Sequence, residues 1–244
     1  MAFTVAVVGA SGRLGSVITG VVRATPGAEL VAELSSKDSL EAAFAADVVV
    51  EATHPAVSPE IVGAVVERGG RVLVGTSGWS ESRLATLRAE VAAHPGSAAV
   101  VIPNFSLGSA LATGFATIAA RYFGSAEIIE AHHAGKVDSP SGTAVRTAEL
   151  MARSASRPFS APHADQRARG QQVGGIPIHS LRLDGVVAKQ EVRFGGTGET
   201  LTITHDTVSN TSYEAGIRAS LLHVAELSDE VVVGLDAVLG LSFS

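Results

Sequence analysis

The sequence lacks cysteine and is poor in aromatic and charged residues. Without thiols it can form no disulfide, no cysteine-ligated zinc or iron–sulfur site and no thiolate nucleophile. Aromatic residues make up 5% and charged residues 17% of its 244 residues. Val, Ala, Leu and Ile must therefore fill the core, which is typical of buried parallel strands covered by helices.

The sequence also lacks a basic cluster and a long apolar run. Its formal net charge is −6 and its 18 basic residues are spread along the chain, which argues against nucleic-acid binding. No apolar stretch reaches the length of a membrane span, and the first one breaks at Gly9, too early for a signal-peptide core. We therefore expect a cytoplasmic protein that has neither nucleic acid nor a membrane as its partner.

Short β-branched runs alternate with segments of helical period in the first part of the chain. Strands are predicted for residues 3–8, 29–34, 47–53, 71–76 and 98–102. Between the first two, apolar residues at positions 14, 17, 18, 21 and 22 predict one face of a helix. Strands that alternate with helices form βαβ units of a parallel sheet. We predict an α/β fold with a Rossmann-like, doubly wound parallel sheet.

The pattern changes after Phe105 and predicts a second, α+β domain with a mostly antiparallel, open sheet. Helices are predicted for residues 107–122 and 143–153, and strands for 126–132, 176–183, 186–194 and 199–205. Asp184-Gly185 and the glycine-rich run 195–198 are typical hairpin turns. Residues 154–175 have no apolar period and are predicted as an exposed, mobile loop.

The end of the chain returns to the pattern of the first part. A helix is predicted for residues 212–226, and an apolar run follows at 231–233. We therefore divide the chain into two domains, residues 1–106 with 215–244, and residues 107–214. The length of the chain suits two such domains, each with its own core.

The first predicted strand is followed by a glycine-rich loop that opens the predicted helix. This loop reads Gly9-Ala10-Ser11-Gly12-Arg13-Leu14-Gly15. Its backbone N–H groups lie open beside the positive end of the helix dipole, so they favour a pyrophosphate, and the last glycine allows close packing of helix and strand. Because the spacing G-x-x-G-x-x-G differs from the commoner G-x-G-x-x-G, a glycine-rich turn of an unrelated domain remains an alternative.

The end of the second predicted strand bears on the choice of cofactor. About 20 residues after the glycine loop, an NAD site usually carries an acid for the ribose. This strand instead ends with E-L-S-S-K at 33–37, and if Ser35 lies at its tip, no carboxylate repels a 2′-phosphate there. Both serines, Lys37 and Arg13 can then bind that phosphate, which predicts NADPH to be at least as good as NADH. A plain polar turn, or Glu33 as the ribose ligand, remains an alternative.

The segment 130–144, E-A-H-H-A-G-K-V-D-S-P-S-G-T-A, concentrates groups that can move protons. An imidazole group titrates near neutral pH, and an ammonium group beside a cation or in an apolar site can do so, which makes His132 and Lys136 candidate proton donors. Ser141 is a typical helix cap, and the N–H groups of Gly142 and Thr143 offer an anion site for a carboxylated substrate.

A metal site and a simple helix cap are alternative interpretations of the same segment. Adjacent His132 and His133 lack the i, i+4 spacing of a zinc site and no third ligand is evident, so no metal is expected. The segment 141–143 alone is compatible with a simple helix cap. Its place five residues after Lys136 makes an accidental combination improbable.

Together these motifs resemble the bacterial dihydrodipicolinate reductases, now called 4-hydroxy-tetrahydrodipicolinate reductases. The resemblance covers essentially the whole chain, and the run H-H-x-x-K-x-D-x-P-S-G-T-A is far more specific than the glycine loop. The matching segments are the glycine loop, 75–78, 102–105, 132–143, 198–203 and His205-Asp206.

The resemblance implies NADPH- and/or NADH-dependent reduction of a small cyclic dicarboxylate in lysine and diaminopimelate biosynthesis. It implies a homotetramer built through the sheet of the domain at 107–214, which also binds the substrate, and dinucleotide binding by the other domain. His132 matches the proton donor or acceptor, Lys136 a second proton donor, and His133 with 141–143 the contacts to the substrate carboxylates. The matching cofactor contacts are Gly9, Ala10, Ser11, Gly12, Arg13, Leu14, Gly75, Thr76, Ser77, Ile102, Pro103, Asn104 and Phe105. Ser35, at the end of the second predicted strand, is a further candidate cofactor contact.

The sequence departs from the family at three places. Ser77 replaces a common Thr and keeps the hydroxyl, Glu51-Ala52 replaces a common Asp-Phe, and Ser35 stands where an acid is usual. The last change puts the cofactor choice in doubt. Two other functions stay open, namely another NAD(P)H-dependent two-domain reductase of a carboxylated imine or aldehyde, and a non-catalytic relative that senses nucleotides.

Overall fold

The computed structural model describes residues 2–242. They form two compact units, of which the first runs to Leu107 and resumes at Tyr213–Leu241, and the second is Gly108–Ser212. Met1, Phe243 and Ser244, which the predicted domains include, lie outside the described residues. No helix among residues 2–242 is long and apolar enough to cross a membrane. The ligand that each unit binds stays a prediction.

Strands and helices alternate in the first part of the described chain, whereas four strands follow one another between residues 171 and 207. The strands are β1 (Phe3–Val8), β2 (Ala28–Leu34), β3 (Val48–Glu51), β4 (Arg71–Val74), β5 (Ala98–Val101), β6 (Ser125–His132), β7 (Gln171–Val173), β8 (Ile176–Arg182), β9 (Ala188–Gly196), β10 (Glu199–Thr207) and β11 (Val231–Val233). The helices are α1 (Arg13–Ala24), α2 (Ser58–Val66), α3 (Glu81–Ala93), α4 (Leu107–Ala119), α5 (Gly142–Ser154), α6 (Glu214–Glu226) and α7 (Leu235–Val238).

The first unit contains a six-stranded sheet in the order β11-β5-β4-β3-β1-β2, in which every pairing is parallel. Alternate residues point to opposite faces, so a sheet covered on both sides needs continuous apolar runs such as the three valines that begin β3. On one face, Val49 and Val72 pack with residues of α2 and α3 such as Val62 and Leu87. Helix α1 packs against β1 and β2, and α6 against α1, β4 and β5. These features confirm the predicted Rossmann-like, doubly wound sheet.

The strands of this unit mostly have the predicted bounds. β1, β2 and β5 agree within one residue, but β3 and β4 end at Glu51 and Val74, two residues before their predicted ends. The physical reason is visible after β3, where the N–H of Thr53 donates to Oε1 of Glu51 at 2.8 Å instead of to a neighbouring strand. The residues after both strands are therefore free to form loops.

The second unit contains a five-stranded sheet in the order β10-β9-β6-β8-β7. Only the β6–β8 pairing is parallel, and the other three are antiparallel. Helices α4 and α5 contribute Ala116 and Met151 to a core that also contains Ile128, Val192 and Phe194 of the sheet. This arrangement confirms the predicted α+β unit with a mostly antiparallel, open sheet.

The predicted hairpin at Asp184-Gly185 is wrong. β8 and β9 are not neighbours, because β6 lies between them and pairs with both. A buried central strand suits β6, in which Ile128 and Glu130 are fully buried. The second predicted hairpin is confirmed, since β9 and β10 pair from Gly196 opposite Glu199.

The predicted structureless loop at 154–175 is also wrong in part. Residues Gln171–Val173 form β7, which pairs antiparallel with β8 at the edge of the sheet. Residues Arg167–Arg169 form a 3₁₀ turn, and Phe159 is buried in the core of the unit. A three-residue edge strand is too short to show an alternating pattern in the sequence.

Candidate active site

The residues predicted to bind the cofactor lie at one edge of the first sheet. Because all strands are parallel, the segments that follow them meet at their carboxyl ends, where α/β folds bind ligands. The glycine loop follows β1, Ser35 follows β2, and the other two segments follow β4 and β5. The N–H groups of Gly9 and Ala10 donate to the carbonyl oxygen of Leu34 at 2.8 and 3.1 Å, which places the glycine loop beside the end of β2.

The glycine loop leaves no room for side chains at two positions. Gly9 has φ +89°, and a Cβ atom there would lie 2.3 Å from the carbonyl oxygen of Ala52. A Cβ at Gly15 would lie 2.0 Å from the carbonyl oxygen of Gly9. Gly12 is the N-cap of α1, where no side chain caps the first turn, and both Gly12 and Arg13 are exposed. An open backbone at a positive helix end fits the pyrophosphate of a dinucleotide.

At the end of β2, the structure places a carboxylate where the sequence predicted none. Ser35 lies at the strand tip, but its N–H and hydroxyl groups donate to Oδ2 of Asp38 at 2.8 and 2.7 Å. These hydrogen bonds, chiefly that of the hydroxyl, hold the pKa of Asp38 below its ordinary value. Glu33 forms an ion pair with Arg23 instead. The expectation that no carboxylate lies here is therefore wrong, and the predicted preference for NADPH loses its physical basis.

The remaining predicted cofactor residues differ in exposure. Accessible to solvent, wholly or in part, are Gly9, Ala10, Ser11, Gly12, Arg13, Leu14, Ser35, Gly75, Ser77, Pro103 and Asn104. Thr76, Ile102 and Phe105 are buried. A Cβ at Gly75 would lie 3.1 Å from the side chains of both Leu14 and Phe105, so these two side chains pack directly against the loop at Gly75.

A fully buried carboxylate, Glu51, links two of these loops. It accepts hydrogen bonds from the N–H of Thr53 and the hydroxyl of Thr76 at 2.8 Å each, and from the hydroxyl of Ser58. The N–H of Thr53 also donates to the hydroxyl oxygen of Thr76 at 2.9 Å. In the sequence, Glu51 is recognisable only as a departure from the family. In the structure it joins the segment after β3 to the segment after β4.

In the second unit, His132 ends β6 and contacts a buried acid. Its Nδ1 atom lies 2.6 Å from Oε2 of Glu130, which is fully buried two residues earlier on the same face. Both terminal nitrogens of Arg182, the neighbour of His132 on β8, donate to Glu130 at 3.0 Å each. Burial by itself would raise the pKa of Glu130, but hydrogen bonds from His132, Arg182 and Ser180 lower it to about 2.

Lys136 lies in the turn after β6 and is paired with Asp138. Its Nζ atom lies 2.6 Å from Oδ1 of that residue, and the lysine side chain is 22% exposed. Burial would raise the pKa of Asp138, but the hydrogen bond and charge of Lys136 bring it below its ordinary value. Arg182 also donates to the carbonyl oxygens of Lys136 and Asp138. One guanidinium group therefore holds the turn that carries Lys136.

Ser141 caps α5, as predicted. Its hydroxyl oxygen accepts from the N–H of Ala144 at 3.2 Å, and its own N–H donates to Oε1 of Glu130 at 3.3 Å. Gly142 is exposed with open space where a Cβ would lie, and Thr143 is partly exposed. The first turn of α5 itself contains no acidic residue, and the carboxylate of Glu130 lies at its N-cap.

The structure thus joins His132, Lys136 and Ser141 through Glu130 and Arg182, neither of which was predicted. His133 lies partly buried in the same turn, where its carbonyl oxygen accepts from the N–H of Lys136 at 3.0 Å. Strand alternation places Glu130 on the face of His132, so this signal was present in the sequence. No sequence pattern indicated that Arg182 belongs to this site, because its place there depends on the pairing of β6 with β8.

Comparison with known proteins gives the family of the chain. The family model described as dihydrodipicolinate reductase, N-terminus, matches residues 3–105, and the one described as C-terminus matches residues 108–239. A 4-hydroxy-tetrahydrodipicolinate reductase of Clavibacter michiganensis subsp. michiganensis is 55% identical over 100% of this chain and 88% of that protein. One of Streptomyces coelicolor is 46% identical over 87% of this chain and 88% of that protein.

A solved structure is similar over almost the entire chain. The dipicolinate-bound dihydrodipicolinate reductase of Paenisporosarcina sp. TG-14 is 30% identical, with a TM-score of 0.80, and covers 97% of this chain and 99% of that chain. The two family models cover both compact units in chain order. This chain therefore belongs to the dihydrodipicolinate reductase family.

Proposed function

We propose that this chain catalyses the NAD(P)H-dependent reduction of 4-hydroxy-tetrahydrodipicolinate to tetrahydrodipicolinate, a step of lysine and diaminopimelate biosynthesis. The observation that carries this proposal is the hydrogen-bonded group of His132, Lys136 and Ser141 in a chain of this family. Such a group offers proton donors beside an anion site, which a cyclic dicarboxylate requires.

The cofactor, NADPH or NADH, supplies the hydride when it is bound. The residues that would hold it are those at the carboxyl edge of the first sheet. The glycine loop offers its backbone N–H groups to the pyrophosphate, and Ser35 with Asp38 offers hydroxyl and carboxylate groups to the ribose. The loops at 75–77 and 102–105 complete this edge, and Glu51 holds the first of them in place.

The substrate carboxylates would bind at the start of α5. The N–H groups of Gly142 and Thr143 lie at the positive end of a helix whose first turn contains no acid. His133 and the ammonium group of Lys136 lie in the preceding turn. Together these groups would orient a cyclic dicarboxylate.

The proton of the reaction would come from His132 or Lys136. Reduction of the ring leaves electron density that a proton must neutralise, and a positioned acid accelerates this step. If the substrate enters as the 4-hydroxy compound, one of the two groups also assists the loss of water.

The proposal is tested with H132A and K136A. We expect each to lower turnover by about two to four orders of magnitude, the range for general acids, and to leave nicotinamide cofactor binding nearly unchanged. Turnover is followed by nicotinamide absorbance with substrate generated by the preceding synthase. K189A is the control, since Lys189 forms an exposed pair with Asp206. Unchanged turnover in H132A or K136A removes the substituted residue from the mechanism. If the wild-type protein turns over a carboxylated aldehyde and not the cyclic compound, the proposed substrate is wrong.

We also propose that the chain works as a homo-oligomer, a tetramer formed through the second sheet. The face of this sheet opposite α4 and α5 carries Leu181, which is 39% exposed, in a depression shared with Ile129 and Arg193. L181E is expected to lower the mass measured by light scattering, whereas an unchanged mass contradicts this interface. The cytoplasmic location stays a prediction.

A further inference from the structure

Glu130 and Arg182 are charged residues that the proposed reaction does not use directly. Glu130 is fully buried and accepts hydrogen bonds from His132, from both terminal nitrogens of Arg182 and from the N–H of Ser141. Burial of a charged pair is costly and is weak evidence for a role in stability alone. The partners of this pair are instead the proposed site residues, which points to a role in positioning them.

The carboxylate of Glu130 determines which nitrogen of His132 carries the proton. Glu130 is ionised, because its donors hold its pKa at about 2, and an ionised carboxylate can only accept hydrogen bonds. Its partner Nδ1, at 2.6 Å, must therefore be the donor. In the neutral imidazole the lone pair is then on Nε2, which is the atom left to take up and release a proton.

The guanidinium of Arg182 uses all five of its N–H groups. Two donate to Glu130, one from each terminal nitrogen. The others donate to the carbonyl oxygens of Lys136, at 3.2 Å, of Asp138 and of Leu181. A lysine has three donors on one atom and cannot make this set of contacts. Arg182 thus ties the carboxylate that holds His132 to the turn that carries Lys136.

We propose that Glu130 and Arg182 are the positioning pair of this site, Glu130 by keeping the proton of neutral His132 on Nδ1, and Arg182 by holding the Lys136 turn against the same carboxylate. This inference rests on the proposed roles of His132 and Lys136 as proton donors. It extends the set of functional residues to a buried acid and to a neighbouring strand.

The first test is a nuclear magnetic resonance measurement on the wild-type protein. Labelling histidine with ¹⁵N distinguishes the two tautomers of a neutral imidazole, and comparison with H132N assigns the signals of His132. We expect His132 to be protonated on Nδ1. In E130Q, the side-chain amide can donate to Nδ1, so we expect a shift toward the Nε2-protonated form. A wild-type His132 protonated on Nε2 overturns the proposal, and this result does not depend on any activity of the protein.

The second test is kinetic. We expect E130Q to lower kcat by about 10- to 100-fold, the range for groups that orient a metal-binding histidine through its second nitrogen, with the KM for the nicotinamide cofactor unchanged. R182K keeps the charge and is also expected to lower kcat, while His132 stays protonated on Nδ1. The control is E149Q, which removes a carboxylate from Arg153 on α5 of the same unit.

The kinetic outcomes separate positioning from stability. Wild-type kcat in either E130Q or R182K overturns the proposal, and so does an E149Q variant as slow as E130Q. If E130Q does not fold, the wild-type tautomer and R182K decide the question. A protein without reductase activity whose His132 is still protonated on Nδ1 refutes the proposed function and keeps the Glu130 part of this inference.

Discussion

Three acidic side chains beside the proposed site residues each accept a hydrogen bond that favours their ionised form. Ser35 donates to Asp38, Lys136 to Asp138, and Glu130 has the donors described above. In each case the donors lower the pKa of the carboxyl group. Negative charges are thus held at the end of β2 and around the β6 turn, where we expect them to act on a bound cofactor and on the proposed proton donors.

The charge of Asp38 predicts how the protein selects between the two cofactors. D38N removes the charge and keeps an acceptor for the N–H and hydroxyl groups of Ser35. Because the ionised carboxylate repels a 2′-phosphate, we expect D38N to improve the NADPH affinity relative to NADH about fivefold. Dissociation constants of both cofactors measure this ratio.

The control for this prediction is E33Q. Glu33 also lies at the end of β2, but it pairs with Arg23, so its replacement is expected to leave the ratio of the two affinities unchanged. Equal ratios in wild type and D38N contradict the role given to Asp38. A failure of both cofactors to bind the wild-type protein would instead contradict the cofactor site itself.

At the scale of elements, the junction of β1 and α1 depends on the absence of side chains. The carbonyl oxygen of Gly9 fills the place of a Cβ at Gly15, whereas Gly20, further along α1, faces open space. The two glycines therefore have different effects on the structure, although both lie in the same helix. The first permits a close approach, and the second only lowers helix propensity.

Alanine at these two positions is expected to have opposite effects. G15A must push the glycine loop away from α1, so we expect a loss of about 1–3 kcal/mol in the free energy of unfolding and weaker dinucleotide binding. G20A is expected to raise the free energy of unfolding by about 0.5–1 kcal/mol, because alanine favours an exposed helix. Urea unfolding and cofactor titration measure both effects. A G15A variant that binds the dinucleotide as tightly as wild type contradicts the proposed role of the glycine loop in cofactor binding.

The position of β6 in the sheet was not predictable from the pattern of the individual strands and turns. The apolar alternation of β6, β8 and β9 predicts three strands, and the turn residues Asp184-Gly185 predict a hairpin between the last two. In the fold, β6 enters between them and pairs with both. Turn chemistry is local, whereas strand order depends on which strand buries the most apolar surface.

At the scale of the whole molecule, Glu130 predicts a dependence of stability on pH. Its pKa falls from an ordinary value of 4.5 to about 2 on folding, so the folded state favours the ionised form. Stability from this group is fully present above pH 4.5 and is lost as the pH falls toward 2. A shift of this size corresponds to about 3 kcal/mol.

The measurement compares wild type and E130Q by urea unfolding between pH 7 and about pH 3. We expect the free energy of unfolding of wild type to fall more steeply below pH 4.5, because E130Q has no carboxyl group at this position to protonate. Asp38 and Asp138 also have lowered pKa values, but they contribute equally to both proteins. Parallel curves for the two proteins contradict the assignment to Glu130.

The sequence by itself determined the features that depend on neighbours along the chain. Strand and helix periods, the glycine loop and the spacing of His132, Lys136 and Ser141 are local patterns, and they predicted the fold class and most of the candidate site. Only the tertiary structure decided that Arg182 meets Glu130 across 52 positions, and that Glu51 joins two loops. These contacts require strand order and burial, which arise from packing of the whole chain and leave no trace in a local pattern.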